Sequence, residues 1–492
     1  MKPAVIVGSL LVFVVVSGTC AFGRAPKYKK PDVTIPANWQ TPAPWQISNP
    51  TDHIPKGAWW KVFLDDELNQ YEERAMTSNQ TLQAALARLS EARASARVTA
   101  SGLYPELDAA PSAGRQRISG NRPLLGSTTP LRPDTENTFT IPFTLNYEVD
   151  LFGRVRRSVE AANETLQATA ADLENMRLLV SSELAADYFQ LRETDAEIAV
   201  VQKAIDFEKK GLDLVDKRHS GGAVSGLDVA QQQTVLDSSV TQLYLLQQQR
   251  AQDEHALAVL QGLPASDFNA PVRALNMQPP PIPIGVPSEL LQRRPDIATA
   301  ERTVSSANSQ IGVARASFYP NIPLTGGGGV ESRDITTLFN APSFLWSLGL
   351  SAIEPLIAGG RLHAQLDFAN SVYQEDVANY RESVLVAFQQ VEDALAGLQA
   401  LQSASNSQKK AVDDADRSLD LANARYTGGL VTYLDVITAQ ELVLTNERLA
   451  TQIDGQRMVT AVYLIKALGG GWDDSSLAAM GVKASLKQAV QQ

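Results

Sequence analysis

Apolar and small residues recur in steps of three and four at Val155, Val159, Ala162, Leu166, Thr169, Leu173, Met176 and Val180. The same steps return at Leu362, Leu366, Ala369, Tyr373, Tyr380, Ala387, Val391, Ala394, Leu398 and Leu401. Such spacing lays one narrow stripe along a helix, close to the period of a coiled-coil seam. No proline interrupts roughly 151–218 or roughly 361–425, so each segment is expected to be one unbroken helix. At about 1.5 Å per residue, some ~65 residues reach about 100 Å, too long for burial in a compact domain. Second helices are expected at about 227–261 and 434–468, giving two long helical hairpins, with shorter helices at about 82–102 and 295–316.

Between the helices the period changes to two. Phe139, Ile141, Phe143, Leu145, Tyr147 and Val149 alternate with Thr140, Pro142, Thr144, Asn146 and Glu148, while Phe344, Trp346, Leu348, Leu350 and Ala352 alternate with Leu345, Ser347, Gly349, Ser351 and Ile353. Alternation over about ten residues is the length and pattern of a strand crossing an outer membrane. Partner strands are expected to begin at Tyr104-Pro105 and Tyr319-Pro320, with loops at about 120–134 and 333–342, which makes two β-hairpins and four strands per chain. Four strands cannot close a barrel, and open edges leave backbone groups unpaired in lipid. Two chains would supply eight strands and a filled lumen; three would supply twelve and leave room for a pore.

One sentence of sequence occurs twice. Arg218-His219-Ser220-Gly221-Gly222 through Val229 is answered by Arg425-Tyr426-Thr427-Gly428-Gly429 through Val436, at the 207-residue offset that separates Gly221 from Gly428. Gly153-Arg154 answers Gly360-Arg361 at the same offset, so the unit repeated is half the protein, not a solenoid module. Ser225 to Asp228 and Thr432 to Asp435 both fit a capping box for the second helix of each hairpin. Gly221 and Gly428 are expected just past a helix end, where glycine accepts positive φ.

Composition narrows the functions. A net charge of −11 in 492 residues gives nucleic acid no basic footprint. The one long apolar run, 4–16, is too short to span a bilayer. With Lys2 before it and Ser17-Gly18-Thr19-Cys20 behind, it reads as an export signal over 1–20. Cys20 is the sole cysteine, which rules out an internal disulfide; it is either the acylated first residue of a lipoprotein or an incidental thiol beside an ordinary cleavage site. His53, His219, His255 and His363 are scattered without metal-ligand spacing, Gly326 to Gly329 lacks the Lys-Ser/Thr of a phosphate cradle, and acidic pairs such as Asp65-Asp66 and Asp413-Asp414 are expected to be solvated helix faces. No catalytic residue, metal or cofactor is expected.

Several motifs carry a resemblance to one family: Val286-Pro287-Ser288-Glu289-Leu290-Leu291-Gln292-Arg293-Arg294-Pro295-Asp296-Ile297, Ala300-Glu301, Ile311-Gly312 through Phe318-Tyr319-Pro320, residues 147–154, and Pro355 through Arg361. Over nearly its whole length the chain resembles the TolC-like outer-membrane factors, in the NodT/OprM-type lipoprotein branch. The resemblance implies a mainly α fold with a membrane β-barrel portion. A homotrimer would form a twelve-stranded barrel in outer membrane lipid, and the duplicated hairpins an α-barrel across the periplasm. Such a channel is a passive conduit for small toxic compounds delivered by an inner-membrane RND-type pump and a periplasmic membrane-fusion adaptor. On this plan 21–80 is an N-terminal equatorial segment, 81–262 the first repeat with its β-hairpin at about 104–150, and 263–294 a Pro-rich linker. Residues 295–468 form the second repeat with its β-hairpin at about 319–357, and 469–492 a tail.

Carried over by position, Gly221, Gly222, Val224, Gly428, Gly429 and Val431 become candidates for docking the adaptor. Asp228, Tyr426, Leu434, Asp435 and Thr438 become candidates for the periplasmic gate, with Leu434 and Asp435 at the constriction and Tyr426 and Asp228 as a latch pair. The chain departs from its family at Thr19-Cys20 in place of Gly-Cys, at Val431 where relatives place arginine, and at Thr438 where an acid is common. Two competitors share features: a protein-secretion channel keeps the fold with another cargo, and a periplasmic adaptor would need only one hairpin and no membrane-type strands.

Overall fold

The computed structural model describes residues 28–33, 35–36, 57–119, 134–274, 278–282 and 293–470. The export segment with Cys20, the loop at 120–133, the 286–292 part of the motif and the tail beyond Gly470 lie outside the described residues. The chain divides into two compact units, one around Ser90–Gln167 and Glu301–Asn379, the other around Asp32–Leu89, Ala168–Ala300 and Tyr380–Gln492.

The first unit contains one antiparallel sheet, built from β1 (Glu106–Ala109), β2 (Ser112–Ile118), β3 (Asp134–Glu148), β4 (Pro323–Ser332) and β5 (Phe344–Leu350). β1 and β2 both pair with β3, and the break between them falls at Ala110-Pro111, where Pro111 has no N–H to give. They are therefore the first expected strand with one interruption, and the order across the sheet is β1/β2, β3, β4, β5. Pairing of β3 with β4, from Phe139↔Ser332 to Glu148↔Pro323, joins the two repeats in a single sheet.

Register sorts the side chains. Ala109 opposes Phe143, Phe143 opposes Gly328, and Gly328 opposes Trp346, while Leu107, Leu145, Gly326 and Leu348 form the next row. One face therefore carries Leu107, Ile141, Phe143, Leu145, Tyr147, Leu324, Val330, Phe344, Trp346, Leu348 and Leu350; the other carries Thr140, Thr144, Asn146, Glu148, Thr325 and Ser347. The glycine run sits inside β4, where a Cβ on Gly326 would lie 3.2 Å from Leu145 Cβ and one on Gly327 2.8 Å from Ser347 Oγ. It makes room for neighbouring strands.

Among the described residues the α-helices are α1 (Asp66–Ser78), α2 (Gln80–Ser101), α3 (Arg154–Ser220), α4 (Gly226–Leu260), α5 (Pro295–Ala316), α6 (Arg361–Thr427) and α7 (Tyr433–Ala467). α3 and α6 have 67 residues each and α4 and α7 have 35 each, so the duplication has kept both hairpins free of insertions. Of the Asp65-Asp66 pair, Asp66 is exposed as expected and Asp65 is not. Asp65 is buried and caps α1 by accepting from Glu67 N–H (3.0 Å) and Leu68 N–H (3.3 Å), while Tyr188 donates to it at 2.8 Å and Arg273 pairs with it. Burial alone would raise its carboxyl; the Tyr188, Leu68 and Arg273 contacts overcome that and hold it below the ordinary range.

Asp65 belongs to a buried charge network that anchors the second unit. Arg192 of α3, 1% exposed, bonds Asp195 (2.9 Å), Glu67 (2.7 Å) and the Pro271 carbonyl (2.7 Å). Asp195 in turn receives Arg250 of α4 at 2.7 Å and the Arg273 N–H at 3.0 Å. The network thus joins α1, α3, α4 and the segment after α4.

Candidate functional site at the hairpin tips

The two Gly-Gly turns end their helices identically. Gly222 N–H donates to His219 O (2.8 Å) and Ala223 N–H to Arg218 O (2.9 Å); in the second copy Gly429 N–H donates to Tyr426 O (3.0 Å) and Leu430 N–H to Arg425 O (2.9 Å). This pair of bonds is a Schellman cap, which needs a left-handed residue just past the helix. That residue is the second glycine of each pair, with φ of 75° at Gly222 and 72° at Gly429, and not Gly221 or Gly428 as the sequence suggested. The helices run to Ser220 and Thr427, so Gly221 and Gly428 are still bonded to the last turn, through Lys217 O and Ala424 O at 3.1 Å each.

The next helices start as expected. Asp228 accepts from the Ser225 N–H and Oγ, both at 2.9 Å, and Asp435 accepts from the Thr432 N–H (3.2 Å) and Oγ1 (2.8 Å). Each carboxylate is thus oriented by its own helix start.

The turns are held together by a small apolar core. Val215, Tyr426, Tyr433, Val436 and Ile437 are buried, with Val224, Val229 and Val431 packed against them. Tyr426 and Tyr433 meet edge to face at 5.0 Å, and the Arg218 guanidinium lies 4.7 Å above the Tyr426 ring, a cation–π contact across the hairpins. Burial first, then Tyr426 and Glu208, push the Tyr433 hydroxyl up to about 12 against an opposing contact from Gln440, so it stays protonated at neutral pH.

Candidate residues separate into three groups. Gly221, Gly222, Gly428 and Gly429 are exposed, and a Cβ on Gly222 or Gly429 would meet nothing within 4 Å, so their backbones stand open to an approaching partner. Val224 and Val431 are half-buried and support the turns from within. Leu434, Asp435 and Thr438 share one exposed face of α7, opposite the buried Tyr433, Val436 and Ile437. Tyr426 and Asp228 are not joined: the tyrosine hydroxyl is buried without a partner, and Asp228 bonds only its cap residue. Leu227 and Leu430, beside the turns, are also exposed, at 65% and 73%, and the sequence reading gave them no role.

Residues 73–263 and 286–470 match the family described as outer membrane efflux protein. The chain is 31% identical over 465 residues to the pyoverdine export outer membrane protein OpmQ of Pseudomonas aeruginosa, covering 94% of this chain and 96% of that one. It is 30% identical over 467 residues to the cation efflux system protein CusC of Escherichia coli, at 94% and 98% coverage. Its fold matches the CmeC outer membrane channel of Campylobacter jejuni with a TM-score of 0.87 at 26% identity, over 94% of this chain and 97% of that one. A sheet apolar on one face and polar on the other, twin helical hairpins and these matches along both repeats together make this chain a member of the outer membrane efflux protein family, a channel protein and not an enzyme.

Proposed function

We propose that three copies of this chain form a passive efflux conduit through the outer membrane, with the Gly-Gly turns as its periplasmic mouth. The observation that carries this is the sheet, whose large apolar side chains lie mostly to one side and whose outermost members, β1/β2 and β5, each pair on one side only among the described residues. Such edges are tolerated in lipid only if neighbouring chains close them. Three chains give twelve strands, with Thr144, Asn146 and Ser347 turned to the lumen. At the mouth, the open backbones of Gly222 and Gly429 dock a periplasmic adaptor, and Leu434, Asp435 and Thr438 line the constriction. An inner-membrane RND-type pump supplies the cargo, which we take to be small toxic compounds. A deletion strain tested against a panel of such compounds, and for its secreted proteins, decides the cargo. Sensitivity with an unchanged secretome supports efflux, and a lost secreted protein with unchanged resistance contradicts it.

A further inference from the structure

Behind the tips lies a polar pocket that the conduit does not require. Glu208 of α3 is 2% exposed and Gln232 of α4 is fully buried. Ser239 Oγ donates to Glu208 Oε1 at 2.9 Å, and Gln232 Nε2 donates to the Glu208 carbonyl at 2.9 Å, which fastens α4 to α3. The other hairpin contributes Tyr433, whose hydroxyl occupies the place of a side chain at position 211. A Cβ on Gly211 would meet that hydroxyl at 2.4 Å and Gln232 Nε2 at 3.2 Å. Glycine inside a helix costs about 1 kcal/mol relative to alanine, and here its bare Cα admits the tyrosine. Gln440 of α7 shares a cleft with Glu208.

Within this pocket Glu208 Oε2, Gln232 Oε1, Gln440 Oε1 and the Tyr433 hydroxyl are buried and make no hydrogen bond of good geometry, although the Tyr433 hydroxyl lies against Gln440. Two of these are amide oxygens, which can only accept, and an ionised carboxylate can only accept as well. The Tyr433 hydroxyl can donate to one of these acceptors, Gln440, and a neutral Glu208 supplies a second donor. Its Glu208 and Gln232 belong to one repeat alone: at the 207-residue offset they are answered by Ala415 and Ala439. Capping and seam residues recur in both copies, so a feature found in one copy is not demanded by building a hairpin.

We propose that Glu208 is a proton-operated clasp between the two hairpins: protonated, it donates to the acceptors around it and holds α7 against α3 and α4; ionised, it releases the tip. Burial pushes its carboxyl up to about 7, with the Ser239 hydrogen bond opposing and the nearby Glu441 adding to the rise. A group raised on folding stabilises fully below the ordinary carboxyl range and loses its effect as pH rises through the folded value, so the clasp loosens progressively up to and through neutrality. Asp416 of α6 and Glu447 of α7 add negative charge at the cleft, where Lys203 pairs with Glu447 at 2.7 Å and Lys210 stands on α3. α4 brings only the neutral Gln232 and Ser239 to it.

The clasp lies within one chain and is independent of what the tips dock. Its test is hydrogen exchange on the assembled full-length protein, read as protection factors for amides at the start of α7. Wild type is expected to lose about tenfold in protection between pH 6 and 8, and Glu208→Gln, a permanently neutral isostere, to stay flat. A flat wild type, or a Glu208→Gln protein that keeps the loss, overturns the clasp. Ser239→Ala provides the second arm: removing the donor that favours the ionised form moves the loss to higher pH, and an unshifted profile overturns the proposal even where Glu208→Gln fails to assemble.

Discussion

Asp435 has one role that its hydrogen bonds show and one that we propose, and a single substitution separates them. Its carboxylate holds the Thr432 N–H and hydroxyl and so starts α7, and the same residue stands on the exposed face with Leu434 and Thr438. Three such carboxylates around one axis concentrate negative charge and attract cations. Asp435→Asn keeps an oxygen for the Thr432 bonds while deleting the charge, so the helix start survives. Single-channel recording in a planar bilayer is expected to show weaker cation selectivity and weaker block by multivalent cations; unchanged selectivity would exclude Asp435 from the constriction. The capping role of this residue was legible in sequence, because Thr432 and Asp435 have the right types at the right spacing. The burial of Asp65 was not, since an acidic pair ahead of a helix looks alike whether water or Arg273 and Tyr188 surround it. The left-handed glycine was misplaced by one residue, because helix ends are decided by the last hydrogen bond and two adjacent glycines are equal candidates.

At the scale of elements, the sheet has two faces with different solvents. Leu348 projects from the apolar face of β5 at 70% exposure, and Ser347 beside it points the other way. Leu348→Arg would place a cation in hydrocarbon, at a cost of about 2–4 kcal/mol near the bilayer midplane, whereas Ser347→Arg would face the lumen. Outer-membrane fractionation is expected to show little assembled Leu348→Arg protein and near-normal Ser347→Arg protein. The helical anchor has its own test. Arg192→Met strips Asp195 and Glu67 of a buried partner and is expected to cost about 3–5 kcal/mol, seen as a lowered denaturation midpoint of the helical circular dichroism signal. Long elements were readable because their periods persist: the expected helices at about 151–218 and 361–425 end within three residues of Arg154–Ser220 and Arg361–Thr427. α1 escaped notice because its thirteen residues are polar with only a short apolar stripe, and tertiary contacts stabilise it. The pairing of β3 with β4 was equally hidden, since alternation fixes which face a residue takes and leaves the neighbouring strand open.

For the whole molecule, the two repeats contribute unequal shares to one design. Both supply a hairpin, a Schellman turn and a capping box; the second alone brings Tyr426 and Tyr433 to the tip core, and the first alone supplies the buried Glu208 and Gln232. What makes the chain a channel subunit is the open-edged sheet, which one chain cannot complete. The most direct measurement is the native mass of the protein extracted from outer membranes in mild detergent. Three chains per particle is the predicted result. A particle of one or two chains would contradict the twelve-stranded conduit.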